Sequence, residues 1–393
     1  MKIVMLCDLY DVRVSYQENL LAQYYAKNGH DVVVIAGPYD NAFDFVAEHP
    51  AQDLSRRELR DGLVRVFKLP YRINLLNRLR RFSGVTEILE REQPDLIFVH
   101  DIHFNLREAA LYKRRHPETR VVMDYHADFS NSARNWLSLT VLHKGIRRPF
   151  FCRYRWAIDR IYPVVPKSAE FLHSVYRVPY AEMELLPLGS DVDLIKAVAA
   201  RGARGTVRES LGIDPSDFVI VSGGKLTPSK KTHVLLEALL DLDLPGAHLL
   251  IVGESGREHA DYLASLRARA SGCPRVHFVG WREGEDLYAS LLAGDLAVFP
   301  GSQSVMWQHA LACGVPLIVG GGTHTSDQDP SYLNRHDNMI ILPRHNVTVD
   351  ELRVHLSAVI EDRVRLAQLT EGARRVGAEF LNYHRIVAQT LNA

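Results

Sequence analysis

Short apolar runs alternate with helically spaced segments along the whole chain. In the first half the runs at 3–7, 31–36, 64–68, 96–100, 120–125, 160–165 and 183–186 predict strands. Most are unbroken Val/Ile/Leu stretches, the pattern of parallel strands covered on both faces. Between the first two, 17–28 places Leu20, Leu21, Tyr24 and Tyr25 on one helical face, and Gly29 is positioned to end the helix. A βαβ unit therefore opens the chain. A second series predicts strands at 218–222, 248–252, 276–279, 296–300 and 317–319. Helices are expected between them at 232–240, 262–270, 283–293 and 304–312. The composition shifts at 191–212, which is read as a linker. The expectation is an α/β chain of two Rossmann-like parallel-sheet domains, 1–190 and 205–375. A final helix, 376–393, could return to the first domain. Two such domains would set a ligand crevice at the carboxyl ends of their strands.

The second series opens with VIVSGGKLTPSKKTHVLLEAL. Gly223 and Gly224 at a strand end let a backbone approach a phosphate. Lys225 and Lys230, five apart, could neutralise a diphosphate leaving group. A solvated lysine pair on a loop is the plain alternative. Downstream come HLLIVGESG, with Gly253 and Gly256 in a strand-to-helix turn, then VHFVGWREGEDLYASLLAGDLAVFPGS and ALACGVPLIV.

These pieces, in this order, resemble the retaining family-4 glycosyltransferases of GT-B fold. The first matches the family's G-R-L-x-x-x-K-G signature, with Lys225 where arginine is usual. HLLIVGESG is similar to L-x-I-V-G-x-G, and ALACGVPLIV to E-A-M-A-C-G-x-P-V-I. Asp191-Val-Asp193 stands where the family has N-G-V-D. The resemblance implies a nucleotide-diphosphate sugar as donor, most often a UDP-sugar, with no cofactor and no metal. It also implies a sugar acceptor such as a glycan or lipid-linked glycan of bacterial surface polysaccharide or lipopolysaccharide. The transferred sugar would be a hexosyl or N-acetylhexosaminyl group.

The resemblance breaks at its most telling place. Two glutamates eight apart hold the donor in the family. Aligned on ALACG, they fall on Gly301 and His309, and no Glu occurs between Glu285 and Glu351. Gln308 or His309 could hydrogen-bond the ribose instead, or both could simply fill a helix face. Ser302 and Ser304, at the loop-to-helix junction, are donor-site candidates or ordinary N-caps. The first loop, DLYDVRVSYQE, lacks the family's glycines. Its larger residues, Tyr16 and Gln17 among them, would shape an acceptor site.

Two histidine clusters end strands of the first domain, His100 and His103 in VHDIH and His126 in MDYHAD. The family places a histidine beside the donor sugar after the later strand, and His126 matches it. His103 and Asp128 are candidates for the acceptor. The His-Asp spacing is weak support for a metal.

Length and composition change the picture only modestly. The 393 residues suit two domains, and equal counts of 47 Lys+Arg and 47 Asp+Glu give no reason to expect nucleic acid. Four separated cysteines suggest neither disulfides nor zinc, and the opening reads as a strand rather than a leader, so a cytoplasmic setting is expected. Two stretches could rest on an anionic membrane at its inner face. One is 71–82, with four arginines among leucines and isoleucine. The other is 134–160, with seven basic residues against one Asp and interleaved Trp, Phe and Tyr. A solvated basic surface is the alternative. Two rival functions remain at this stage: an inactive relative that binds glycan or a partner, and a GT-B sugar-nucleotide epimerase.

Overall fold

The structure, a computed structural model, describes the chain apart from residues 48, 50, 52, 134, 243, 321–328, 344–346 and 393. Arg134 of the second basic stretch thus lies outside the described residues. The chain divides into two compact units, Met1–Pro187 with Tyr383–Ala393, and Leu188–Asn382.

The first unit contains β1 (Lys2–Leu6), β2 (Asp31–Ala36), β3 (Arg57–Asp61), β4 (Val64–Lys68), β5 (Tyr71–Leu75), β6 (Leu79–Phe82), β7 (Leu96–His100), β8 (Arg120–Tyr125) and β9 (Arg160–Pro163). Seven of them form one sheet in the order β3-β4-β2-β1-β7-β8-β9. All neighbours run parallel except β3 and β4. Ile3 to Leu6 and Val32 to Ala36 are almost wholly buried, as strands covered on both faces must be. The order reverses at β1 and β7, so the loops after these strands diverge and leave a crevice at their carboxyl ends. β5 and β6 form a separate antiparallel hairpin.

The second unit contains β10 (Phe218–Lys225), β11 (Ala247–Glu254), β12 (Val276–Gly280), β13 (Leu296–Phe299), β14 (Leu317–Gly320) and β15 (Met339–Leu342). They form a parallel sheet in the order β12-β11-β10-β13-β14-β15. Its reversal falls between β10 and β13, which places the loops after those two strands side by side.

Several expectations need correction. Residues 183–186 form no strand, only a single bridge from Met183 to Ile161. The segment read as a linker is two helices, Val192–Ala200 and Ala203–Ser210. Asp191 caps the first by accepting from Leu194 N, and buried Arg208 ties the second to Asp295 at 2.7 Å and to the Ala293 carbonyl at 3.0 Å. The Ala/Arg/Gly composition therefore marks packed helices, not a free tether. The closing helical segment breaks at 380–382 into Arg363–Glu379 and Tyr383–Leu391. The first of these buries Leu369, Ala373 and Val376 in the second unit. The other packs Tyr383 on Tyr24 in the first, with ring centroids 5.4 Å apart, and bonds Thr390 to the Tyr25 hydroxyl.

Candidate active site

In the second unit, β10 ends in Ser222-Gly-Gly-Lys. Its register pairs Gly223 with Val252 and Gly224 with Gly253. A β-carbon at Gly223 would overlap the Val252 carbonyl, and one at Gly253 the Gly224 carbonyl. These glycines therefore let two strand ends close on each other. Gly224, with φ +98°, also needs the freedom of glycine, and it lies against the Ser304 hydroxyl.

The loop after β10 meets the loop after β13. Ser302 N donates to the Ser229 carbonyl at 2.9 Å, and the hydroxyls of Ser302 and Ser229 are 3.3 Å apart. Lys230 Nζ donates to the carbonyls of Ser302, at 3.1 Å, and Gln303. It has no carboxylate partner among the described residues. Burial alone pushes its pKa down to about 8. Lys225 instead pairs with Glu258 at 3.0 Å and is well exposed.

A β-carbon at Gly301 would overlap the backbone of Ser229 and Lys230, so no side chain fits there. Gln308 is fully buried. Its amide oxygen accepts from the Tyr332 hydroxyl at 2.9 Å, and its nitrogen donates to the Val305 and Ser304 carbonyls at 3.1 and 3.3 Å. His309 Nδ1 meets the buried Ser190 hydroxyl at 2.8 Å, and desolvation pushes the imidazole down to about 4. Ser304, also buried, accepts from Met306 N at 3.3 Å and so steadies the start of the helix Met306–Ala312. Ser304, Gln308 and His309 are thus engaged within the unit, while the buried Trp307 indole N–H has no hydrogen-bond partner among the described residues; Ser302 and Lys230 bond only across the two loops.

In the first unit the residues at the carboxyl ends of β1, β7 and β8 carry the charge. Asp8 lies 3.0 Å from His103 Nε2 and 2.6 Å from Arg80. Burial opposes its ionisation, but His103 and then Arg80 hold its carboxyl well below the usual range. His103 is itself buried and accepts from Asn105 N through Nδ1. Asp128 caps a turn by accepting from the Ser130 backbone at 2.7 Å, its hydroxyl at 2.5 Å, and Asn131 N. Tyr16 is exposed, whereas Gln17 is buried with neither amide atom hydrogen-bonded among the described residues.

His126 follows β8. Its Nε2 meets Asp124 at 2.9 Å, and His100 Nδ1 meets the same fully buried carboxylate at 3.1 Å. Burial opposes ionisation of Asp124, but His100 and then His126 hold it well below the usual range. Burial likewise opposes protonation of His100, yet Asp124, with Glu18 and Asp101 adding, pushes it well above the ordinary histidine value. The two shifts describe one ion pair. One ligating atom each from His100, Asp124 and His126 lie within 4.8 Å of one another. The spacing of His100 and His126 on adjacent strands was visible in the sequence; Asp124 as their common partner was not, because only the parallel register of β7 and β8 sets His100 opposite Asp124.

Residues 19–194 match the glycosyltransferase family 4 model, and 217–362 match the glycosyl transferases group 1 model. The chain belongs to this glycosyltransferase family. Its fold is GT-B. The UDP-bound HepE of Anabaena is 20% identical with a TM-score of 0.67, covering 100% of this chain and 99% of that one. WaaG, a glycosyltransferase involved in lipopolysaccharide biosynthesis, is 16% identical with a TM-score of 0.57, covering 99% and 98%. Among curated relatives, D-inositol 3-phosphate glycosyltransferases of Mycobacterium and Rhodococcus strains reach 30% identity over 42% of this chain. The match spans only 38–39% of their own length. At the positions where the resemblance aligns the family's two glutamates, the structure has a close backbone contact at Gly301 and, at His309 beside buried Gln308, a side chain engaged within the unit.

Proposed function

We propose that this member transfers a sugar, with retention, from a UDP-sugar to a glycan or lipid-linked acceptor of bacterial surface polysaccharide or lipopolysaccharide. The observation that carries the reading is Lys230. It is a partly buried ammonium that, among the described residues, has no carboxylate partner and bonds to two carbonyls, at the reversal point of the second sheet. Such a charge in that position favours an anion, and a departing diphosphate is the anion that this chemistry generates. Lys225 would leave its exposed pair with Glu258 to join it. The donor would be held through Gly223, Gly224, Gly253, Ser302, Ser304 and loop backbone, with Gln308 and His309 supporting the loop from behind. That HepE is bound to UDP-glucose in one structure supports the choice of nucleotide.

His126 would contact the donor sugar. Tyr16 and Gln17, with His103 and Asp128 shaping their surroundings, would form the acceptor side. The reading assigns no cofactor or metal, because two imidazoles donating to one carboxylate account for the approach of His100, Asp124 and His126. A hexosyl or N-acetylhexosaminyl group is the expected cargo.

The acceptor reading is joined to a membrane reading, at the inner face of a cytoplasmic membrane. No helix among the described residues is long and apolar enough to cross a membrane. In the first unit, however, Leu75 and Leu76 at the tip of the β5–β6 hairpin are exposed, and so are Trp136, Leu137 and Trp156 around the helical segments Ser138–Arg147 and Arg148–Tyr154. Arg147 donates to the Arg78 carbonyl at 3.0 Å and joins the two pieces into one basic, apolar face.

A specific observation favours a second reading, an inactive relative: positions 301, 308 and 309 offer no free side chain to a donor. The test is UDP release from a panel of UDP-sugars, compared with Lys230→Ala. Turnover that falls roughly 100-fold or more in the variant supports the transferase. No nucleotide binding in the wild type overturns it.

A further inference from the structure

His126 is tethered twice. Its backbone N–H donates to Asp101 Oδ1 at 2.8 Å, and its ring Nε2 meets Asp124 at 2.9 Å. Asp101 in turn donates its own N–H to Asp124 at 3.2 Å, which closes a ring of three hydrogen bonds around the loop. To make this ring Asp101 adopts φ +60°, a left-handed conformation that aspartate tolerates better than most residues. Asp124 itself is wholly buried, and a lone carboxylate there would be costly. His100 Nδ1, 3.1 Å away, supplies the compensating donor. An apolar residue at 124 would fill the end of β8 without this arrangement, so the fold alone gives no reason for it.

From this geometry we infer that Asp124, with His100 as its charge partner and Asp101 as the backbone tether, is the positioning residue of His126. An ionised carboxylate is an acceptor only, so a singly protonated His126 ring carries its proton on Nε2. Nδ1, which makes no hydrogen bond among the described residues, is then left as an acceptor on a ring that is 26% exposed. His126 would therefore accept a hydrogen bond from a sugar hydroxyl rather than donate one. Asp124 acts through His126 and touches no substrate. The titratable groups facing this cluster include Glu18 on the helix Gln17–Lys27, 4.0 Å from His100 Nε2, Asp101 on the loop after β7, and the buried Cys7 thiol after β1. The inference rests on the transferase reading for its functional consequence, but not for the tether itself.

Two measurements on the full chain test it. The first is nitrogen-15 NMR of the histidine rings. A protected Nε2–H, assigned by its loss in His126→Ala, is expected in the wild type and should be lost or exchange freely in Asp124→Leu. A proton on Nδ1 of His126, or no preferred tautomer, overturns the tether whatever the enzyme does. The second is a double-mutant cycle on UDP release from the UDP-sugar that turns over best. Asp124→Asn should lower kcat roughly 100-fold or more while UDP affinity holds at a temperature where the variant is folded, since a misplaced tautomer costs rate rather than nucleotide binding; its melting temperature falls because His100 loses its buried partner. In His126→Ala the same change should cost almost nothing further. Additive losses, or an equal loss of UDP affinity, overturn positioning. So does stoichiometric zinc in the purified protein that disappears in His126→Ala, since the trio would then be a metal centre. If the NMR result holds and no UDP-sugar turns over, the failure belongs to the transferase reading.

Discussion

The backbone of Gly301 lies against the backbone of Lys230 so closely that a β-carbon at 301 would overlap the Lys230 carbonyl group. The contact couples the two loops that flank the reversal point of the second sheet. It also leaves no room for a side chain at the position where the resemblance would place a donor-loop glutamate. Ser302 N bonding to Ser229 on one side and Lys230 Nζ bonding to Ser302 on the other make the same junction.

Gly301→Ala is therefore expected to destabilise the second unit by about 1–3 kcal/mol, the range for overpacking a closed contact. Gly301→Glu should weaken UDP binding rather than restore a donor contact, because the loop must move to admit it. Calorimetric titration with UDP beside thermal melts decides the matter. Tighter UDP binding in Gly301→Glu would show that the loop opens readily and that the contact does not control the site.

Lys230 sets a pH limit. Its folded pKa of about 8 is lowered by burial. If Lys230 faces the diphosphate as proposed, the free enzyme should then lose kcat/KM as pH rises through about 8 and the ammonium is lost. Stability runs the other way. Between about 8 and the ordinary lysine value of ~10.4 the unfolded chain binds more protons than the folded one, so this group's contribution to stability rises with pH. Lys230→Arg should abolish the alkaline limb, since arginine stays charged. An unchanged limb in that variant would assign it to another group.

His309 gives an acid limit of the opposite kind. Its folded value of about 4, lowered by desolvation, lies below the unfolded value of ~6.5. Across that interval the unfolded chain binds the proton, so stability falls as pH falls from ~6.5 toward about 4. His309→Gln, which can still meet Ser190, should flatten the slope of melting temperature against pH there. Buried His143, also near 4, keeps part of the slope, so the difference between the two proteins is the quantity to read. Identical slopes would place His309 in contact with water.

Much of the fold was legible because its signal is local. Unbroken apolar runs marked β1, β2, β7, β8, β10 and β11, and glycines with a lysine pair marked the end of β10. What escaped depends on distant partners. β3, with Glu58 and Arg60 exposed, is a strand only because β4 pairs with it, and β15 only because β14 does. The helices at 192–210 read as a linker because their hold is Arg208 on Asp295, 87 residues away. At the site, Lys230 and His126 were named from the sequence. That Gln308 faces inward, that His309 is spoken for by Ser190, and that Asp124 joins two histidines are consequences of packing, which no spacing reveals.

The hairpin tip and the helical segments beside it give the last prediction. The hairpin 71–82 and the helical segments 138–154 carry Arg72, Arg78, Lys144, Arg147 and Arg148 together with exposed Ile73, Leu75, Leu76, Val141 and Ile146, and Arg147 links the two by donating to the Arg78 carbonyl. Near an anionic leaflet each Lys or Arg contributes about 1 kcal/mol, screened by salt, while the apolar side chains contribute by leaving water. The full chain should therefore float with vesicles of phosphatidylcholine and phosphatidylglycerol at low salt and detach as salt rises. It should bind pure phosphatidylcholine vesicles far less. Leu76→Asp, a change at a residue 82% exposed and so without cost to the fold, should weaken flotation while leaving the melting temperature unchanged. Absence of binding to the anionic vesicles would sink the membrane reading and leave the face as a solvated basic surface.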